Sequence, residues 1–373
     1  MRVAHLDTGR SWRGGQAQVA LLLRGLGERG CENLLLAPSG PLLERARQAG
    51  FRTARWEAHG DWDVGALMSA TRALARARPE VVHCHSAHAH ALGVPAARLA
   101  RVPAVVVSRR VDFGVARNPL SALKYRMPVD RYLCISRDVM RVMAESGVKR
   151  ERLALVPSGI EFPSPEACVA EAAAPDLRSL IGAPPDARVV GTVAALAPHK
   201  NHHDLLVAAL EVARRLPDVH FAWVGDGELR AALLGQRARL DLEKRVHLLG
   251  FRPDAPGLMR QFTVFALSSY LEGLCTSLLD AQIRRVPVVA TRVGGVPELV
   301  EDGVSGRLVP PRDPGALARA LVEALESAET RRVWAERAHA SVQAFSAELM
   351  VERSLAEYRA VLEGRTGEPR GGN

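Results

Sequence analysis

Cysteine is sparse in this sequence, with five residues at positions 31, 84, 134, 168 and 275 and no Cys-x-x-Cys spacing. An odd, scattered set excludes a disulfide framework and a zinc knuckle, and it fits a reducing compartment. Aromatic residues make up only 5% of the chain and do not interleave with the basic ones. Stacking platforms for nucleic acid are therefore absent from the pattern, and no nucleic-acid partner is expected. No apolar run approaches the ~20 residues that span a bilayer. The first strand begins at Val3, which leaves no space for a signal peptide, so the expectation is a cytoplasmic protein.

Hydrophobic residues are 47% of the 373 and charged residues 24%, enough for two globular cores. The net charge of +9 is uneven: residues 1–165 hold 25 Lys and Arg against 14 Asp and Glu, and the remainder 25 against 27. A basic first half suits an anionic partner, such as a membrane surface or a phosphorylated acceptor. Arginine outnumbers lysine 46 to 4, so the composition of a GC-rich genome is the competing explanation.

Strand-like and helix-like stretches alternate from Val3 to Gly147, which implies a parallel sheet covered on both faces. Residues 166–186 are rich in Pro, Ala and Glu and read as a linker with at most one short helix. The alternation then restarts at Val189. Residues 1–165 form one doubly wound domain in this reading, 187–345 a second, and 364–373 a disordered tail. The stretch from Arg331 to Leu362 reads as helical.

The second half is organised around Ser268-Ser269-Tyr270-Leu271-Glu272-Gly273-Leu274-Cys275-Thr276, which follows a buried strand and opens a helix. Free N–H groups at such a turn attract anions. Glu272 sits on the turn, and Asp280 returns to the same side two helical turns on. Two carboxylates around an N–H-rich turn suit a ligand with hydroxyls at its ends and a diphosphate between. The competing reading makes Glu272 a helix cap and Asp280 a surface residue. Lys200, between a strand and a helix, can reach a phosphate; a solvated basic loop is the alternative. Gly14-Gly15 joins the first strand to the first helix, where the backbone can approach a phosphate. Gly225 lies in Val224-Gly225-Asp226-Gly227, which lacks the third glycine of a dinucleotide fingerprint. His83, His85, His88 and His90 raise a zinc site, but no carboxylate stands near to orient them, and polar residues at a sheet's ligand-binding edge fit better.

Taken in order, these stretches resemble the family-4 glycosyltransferases of the GT-B fold. The match runs through Gly14-Gly15, Val156-Pro157-Ser158-Gly159-Ile160-Glu161, Val224-Gly225-Asp226-Gly227, the carboxylates Glu272 and Asp280 with seven residues between them, and Gly294-Gly295-Val296-Pro297-Glu298 with the segment to Pro311. The resemblance implies an α/β protein with two Rossmann-like doubly wound parallel-sheet domains facing a cleft, and a C-terminal helix, about 346–362, packing back on the first. It implies a retaining hexosyltransferase that uses a nucleoside-diphosphate sugar, UDP preferred over GDP, with no metal and no cofactor. Glu272 would meet the donor sugar's hydroxyls and Asp280 the ribose. Gly273, Leu274, Cys275 and Thr276, with Lys200, Gly14 and Gly15, would hold the diphosphate, and Phe251 and Arg252 would lie near the base. The chain departs from the family where Ala195 replaces an Arg, Cys275 a Pro and Asp280 a Glu. Val107-Ser108-Arg109-Arg110 also lacks the usual His. Arg109 or Arg110 would then supply phosphate charge, and His85 or His88 the sugar contact.

The acceptor implied is a glycan or lipid-linked molecule of cell-envelope polysaccharide or lipopolysaccharide synthesis. The basic face, with Arg109, Arg110, Arg117 and Arg126, would place the chain peripherally on the inner face of an anionic membrane. The alternatives are a sugar-nucleotide epimerase or sugar phosphorylase of the same fold, or a non-catalytic sugar-nucleotide-binding protein.

Overall fold

The computed structural model describes residues 1–110 and 124–366. Arg117 and the tail beyond 366 lie outside the described residues. Two compact units emerge, one of residues 1–159 with those from Phe345 onward, the other Ile160–Ala344.

The first unit is a seven-stranded parallel sheet of β1 (Arg2–Leu6), β2 (Glu32–Ala37), β3 (Arg52–Arg55), β4 (Val81–Cys84), β5 (Ala104–Arg109), β6 (Arg131–Cys134) and β7 (Leu153–Leu155). Its order is β3-β2-β1-β4-β5-β6-β7, so the winding reverses between β1 and β4. β4 is buried throughout, as a central strand covered on both faces must be. Three-residue β7 was not anticipated, because three residues carry too little periodicity to register.

Helix Gly14–Glu28 lies against the final helix, Ala347–Thr366, which also packs on β5 and β6. A Cβ at Gly25 would stand 2.6 Å from Val351 Cγ2, so only glycine lets these helices approach this closely. Gln18 is buried and exchanges two hydrogen bonds with the Gly159 backbone, at 2.7 and 2.8 Å. The stretch read as helical from Arg331 to Leu362 holds two helices, Ala328–Ser341 and Ala347–Thr366, the second at the position expected for the C-terminal helix. The break follows from Ser346, whose Oγ accepts from Leu349 N and starts a new helix.

The second unit is a six-stranded parallel sheet of β8 (Arg188–Val193), β9 (Val219–Val224), β10 (Val246–Gly250), β11 (Val264–Leu267), β12 (Val288–Thr291) and β13 (Arg307–Val309), in the order β10-β9-β8-β11-β12-β13. The winding reverses between β8 and β11. The core on one face gathers Leu205, Leu206, Phe221, Trp223, Leu321 and Trp334. The segment read as a linker holds two helices, Pro165–Ala172 and Leu177–Leu180. Gln261 pins it by accepting from Leu177 N and donating to Pro175 O. No described helix is long and apolar enough to cross a membrane.

Candidate functional site

In open parallel sheets ligands bind beyond the strand C-termini, where the winding reverses. In the second unit that point lies past Val193 and Leu267, and two loops meet there. Tyr270 N donates to His199 O (2.9 Å) and Ser268 Oγ to Lys200 O (2.9 Å). Thr291 Oγ1, at the end of β12, donates to Ser269 O. The backbone so fixed presents Lys200 Nζ to Glu272 Oε1 at 2.6 Å, and Ser269 Oγ donates to the same oxygen at 2.7 Å.

Both side chains are largely enclosed, at 16% and 8% exposure. Burial pulls the Lys200 ammonium down, but the charge of an ionised Cys275 and the Glu272 carboxylate, which is both charge partner and hydrogen-bond acceptor, more than reverse that, so its pKa stands above the ordinary value. Lys200 is therefore a held cation at neutral pH. Cys275 is buried and its thiol is pushed up, chiefly by desolvation and then by Glu272, so it remains a neutral thiol.

Helix Thr276–Ile283 begins at Cys275, which offers no side-chain cap. The first N–H groups of a helix have no partner within it, the arrangement that receives anions. Asp280 lies on this helix with its side chain 45% exposed. Its described partner is Arg284, whereas Glu272 belongs to the Lys200 cluster.

Gly225 has φ +139°, and a Cβ there would stand 1.9 Å from Ala194 O. Its N–H donates to Gly250 O. The glycine thus lets the turn press on the loop that leads to Lys200. Ala195 lies in that loop, where it offers a methyl in place of a cation. Phe251 is 71% exposed after the αL residue Gly250, and Arg252 is paired at 2.9 and 2.6 Å with Asp254.

In the first unit the winding reverses between β1 and β4. Helix Gly14–Glu28 starts there without a side-chain cap, and a Cβ at Gly15 would meet nothing within 4 Å. Asp7 Oδ1 accepts from Gly9 N and Gln16 Nε2 and closes this loop. His83 and His85 share a face, with ring centroids 3.9 Å apart. His88 and His90 do not join them, in keeping with the disfavoured four-histidine zinc site. His88 lies on helix Ala87–Leu99 and pairs with Asp61, and His90 is buried between Tyr125 and Tyr132.

The third member of the buried cluster is His5, which the β1–β4 register sets beside His83. Sequence alone does not reveal which strand neighbours β4. His5 Nδ1 lies 3.0 Å from His85 Nε2, and His5 Nε2 lies 3.2 Å from Asn33 Oδ1. His83 contacts Tyr358 OH (2.6 Å) and Ser108 Oγ (2.8 Å). Each ring offers a nitrogen within 4.8 Å of the others, the spacing of a metal trio. Burial lowers all three pKa values, that of His5 to about 4, so the rings are neutral. Arg109 ends β5, is 8% exposed, and donates to Tyr125 OH at 2.6 Å.

Residues 12–162 match the model of Glycosyltransferase Family 4, and residues 175–341 match that of Glycosyl transferases group 1. The chain is 28% identical over 273 residues to the UDP-Gal:alpha-D-GlcNAc-diphosphoundecaprenol alpha-1,3-galactosyltransferase of Escherichia coli, covering 70% of each. It is 30% identical over 303 residues to the alpha-D-kanosaminyltransferase of Streptomyces kanamyceticus, covering 75% of this chain and 77% of that one. The crystal structure of Anabaena Alr3699/HepE in complex with UDP and glucose superposes with a TM-score of 0.82, at 22% identity over 96% of this chain and 99% of that one, a likeness of fold.

Proposed function

Since the chain belongs to the family-4 glycosyltransferases of the GT-B fold, we propose that it is a retaining hexosyltransferase whose Ile160–Ala344 unit binds a nucleoside-diphosphate sugar. The observation that carries this reading is the Lys200–Glu272 pair at the β8/β11 reversal, beside an uncapped helix start. The diphosphate leaves as an anion, so the reaction needs positive charge fixed in advance where negative charge grows. Lys200 and the N–H groups of Gly273 to Thr276 supply it, a role that a divalent ion fills elsewhere. An ammonium has three donors, and the described hydrogen bond to Glu272 uses one of them. Glu272 accepts from the donor sugar's hydroxyls, Asp280 from the ribose, and exposed Phe251 stacks on the base. Transfer with retention places the acceptor hydroxyl on the leaving-group face, where a phosphate oxygen takes its proton.

The donor base proposed is uracil, supported by the UDP-galactose named for the Escherichia coli relative. That relative's diphosphoundecaprenol acceptor, with the basic first half of this chain, supports a lipid-linked or glycan acceptor met at an anionic membrane surface. The test is a thermal-shift panel of UDP, GDP, ADP and CMP in EDTA. UDP is expected to raise the melting temperature without metal. Product analysis with the UDP-sugar and an acceptor then gives the anomeric configuration. No shift with any nucleotide, or a shift only after magnesium is restored, overturns the reading.

A further inference from the structure

We infer that Arg284 and Glu171 are positioning residues for the Asp280 carboxylate, and that ribose recognition is thereby tied to helix Pro165–Ala172. The inference rests on the proposed role of Asp280 at the donor's ribose.

Asp280 and Arg284 stand four residues apart at the end of helix Thr276–Ile283, so their side chains share a face. Arg284 is 9% exposed, and its guanidinium is fixed from both sides. Nε and Nη2 donate to the two carboxylate oxygens of Glu171 at 3.1 and 2.5 Å. Nη1 donates to Asp280 O at 2.9 Å and lies 3.6 Å from Asp280 Oδ1. A bidentate fork cannot turn without breaking both bonds, which a lysine would not reproduce. Glu171 is also 9% exposed, and Arg260 adds a second cation at 3.8 Å. Two cations and two carboxylates thus form one balanced group.

Of the two carboxylates in this group Asp280 is the outward-facing one, at 45% exposure against 9% for Glu171. Burial raises the Asp280 pKa to about 6, and the guanidinium at 3.6 Å opposes that rise without a direct hydrogen bond, so the carboxylate's lone pairs remain available to ribose hydroxyls. Glu171 keeps that distance by holding the fork on its own oxygens. Glu171 belongs to the helix that precedes the second sheet, and its carbonyl would stand 2.5 Å from a Cβ at Gly257, so the helix is seated closely. Without Glu171, Arg284 turns onto Asp280 and occupies the oxygens that would accept from the ribose.

The test is binding of UDP and GDP, each beside its 2′,3′-dideoxy analogue, by calorimetry on the full chain. The parent protein is expected to prefer the ribonucleotide by roughly tenfold, the scale of one hydrogen bond to a charged group. Glu171→Gln and Arg284→Met are expected to lose that preference while the dideoxy affinity stays the same. Should Arg284→Met fail to fold, the double variant Glu171→Met with Arg284→Met replaces the buried pair by apolar side chains of similar length, a change cores tolerate. It too should lose the preference. If Asp280→Asn abolishes the preference but the Glu171 and Arg284 variants keep it, the positioning role is refuted and the ribose reading stands. If Asp280→Asn keeps the preference, the ribose reading itself falls, and this inference with it.

Discussion

Acid should unfold the first unit well before its carboxylates are protonated, and the buried histidines set the size of the effect. Burial lowers the pKa of His5 to about 4 and of His90 to about 3, and it holds His83 and His85 well below the usual range. In the unfolded chain all four titrate near 6.5. Their folded pKa values are depressed, so between the two limits the unfolded state binds more protons. Stability is then fully present above the unfolded pKa and is lost as pH falls toward the folded values. Each histidine contributes about 1.4 kcal/mol of loss between about pH 7.5 and 5.5. Four together remove about 5 kcal/mol, comparable with the whole stability of a modest domain.

The measurement is hydrogen exchange of the β1 and β4 amides in the intact chain at about pH 7.5, 6.5 and 5.5, corrected for intrinsic rates. The opening free energy should fall by several kcal/mol across that range. His90→Phe removes one titrating group from a site lined by Tyr125 and Tyr132, and the fall should shrink by about 1.4 kcal/mol. An opening free energy that stays level to pH 5.5 would show that the buried histidines take up protons while folded, and a His90→Phe slope equal to that of the parent would show the same of His90. The neutral assignment would then be wrong.

Other outcomes follow from single contacts. Lys200→Met strips the cation from Glu272, a carboxylate only 8% exposed, and should cost about 3 kcal/mol in urea melts; a cost near zero would mean the pair is solvated. Glu272→Gln should lower the transfer rate by at least about a hundredfold if the carboxylate meets the donor sugar, and undiminished transfer would remove it from the site. Gly225→Ala combines φ +139° with a Cβ 1.9 Å from Ala194 O, so it should cost about 3 kcal/mol and weaken nucleotide binding by moving the loop to Lys200; a variant of parental stability would refute the contact. Tyr358→Phe deletes the 2.6 Å partner of His83 and should lower first-unit stability by about 1–3 kcal/mol with nucleotide affinity unchanged.

The alternation of strands and helices was legible because it is local, and so was the turn at Glu272, where a strand, a glycine and a helix start are consecutive. Lys200, Glu272 and the uncapped helix were each readable as a possible anion contact. Their meeting was not, since it depends on β8 and β11 being neighbours across the reversal, which no local pattern encodes. The same gap hid His5, one residue of the first strand, until the β1–β4 register placed it beside His83. It also made His88 and His90 look like cluster members, because nearness in sequence ceases to be nearness in space once a helix starts at Ala87. Glu171 shows the limit most clearly. It stands 113 residues from Arg284 in a stretch whose Pro and Ala content reads as linker, yet both side chains are 9% exposed and joined by two hydrogen bonds. Arg284 had only its position after Asp280 to mark it, so neither partner signals the other. A buried ion pair in a supposed linker is a fact of packing, and it identifies the segment as part of the second unit's own structure.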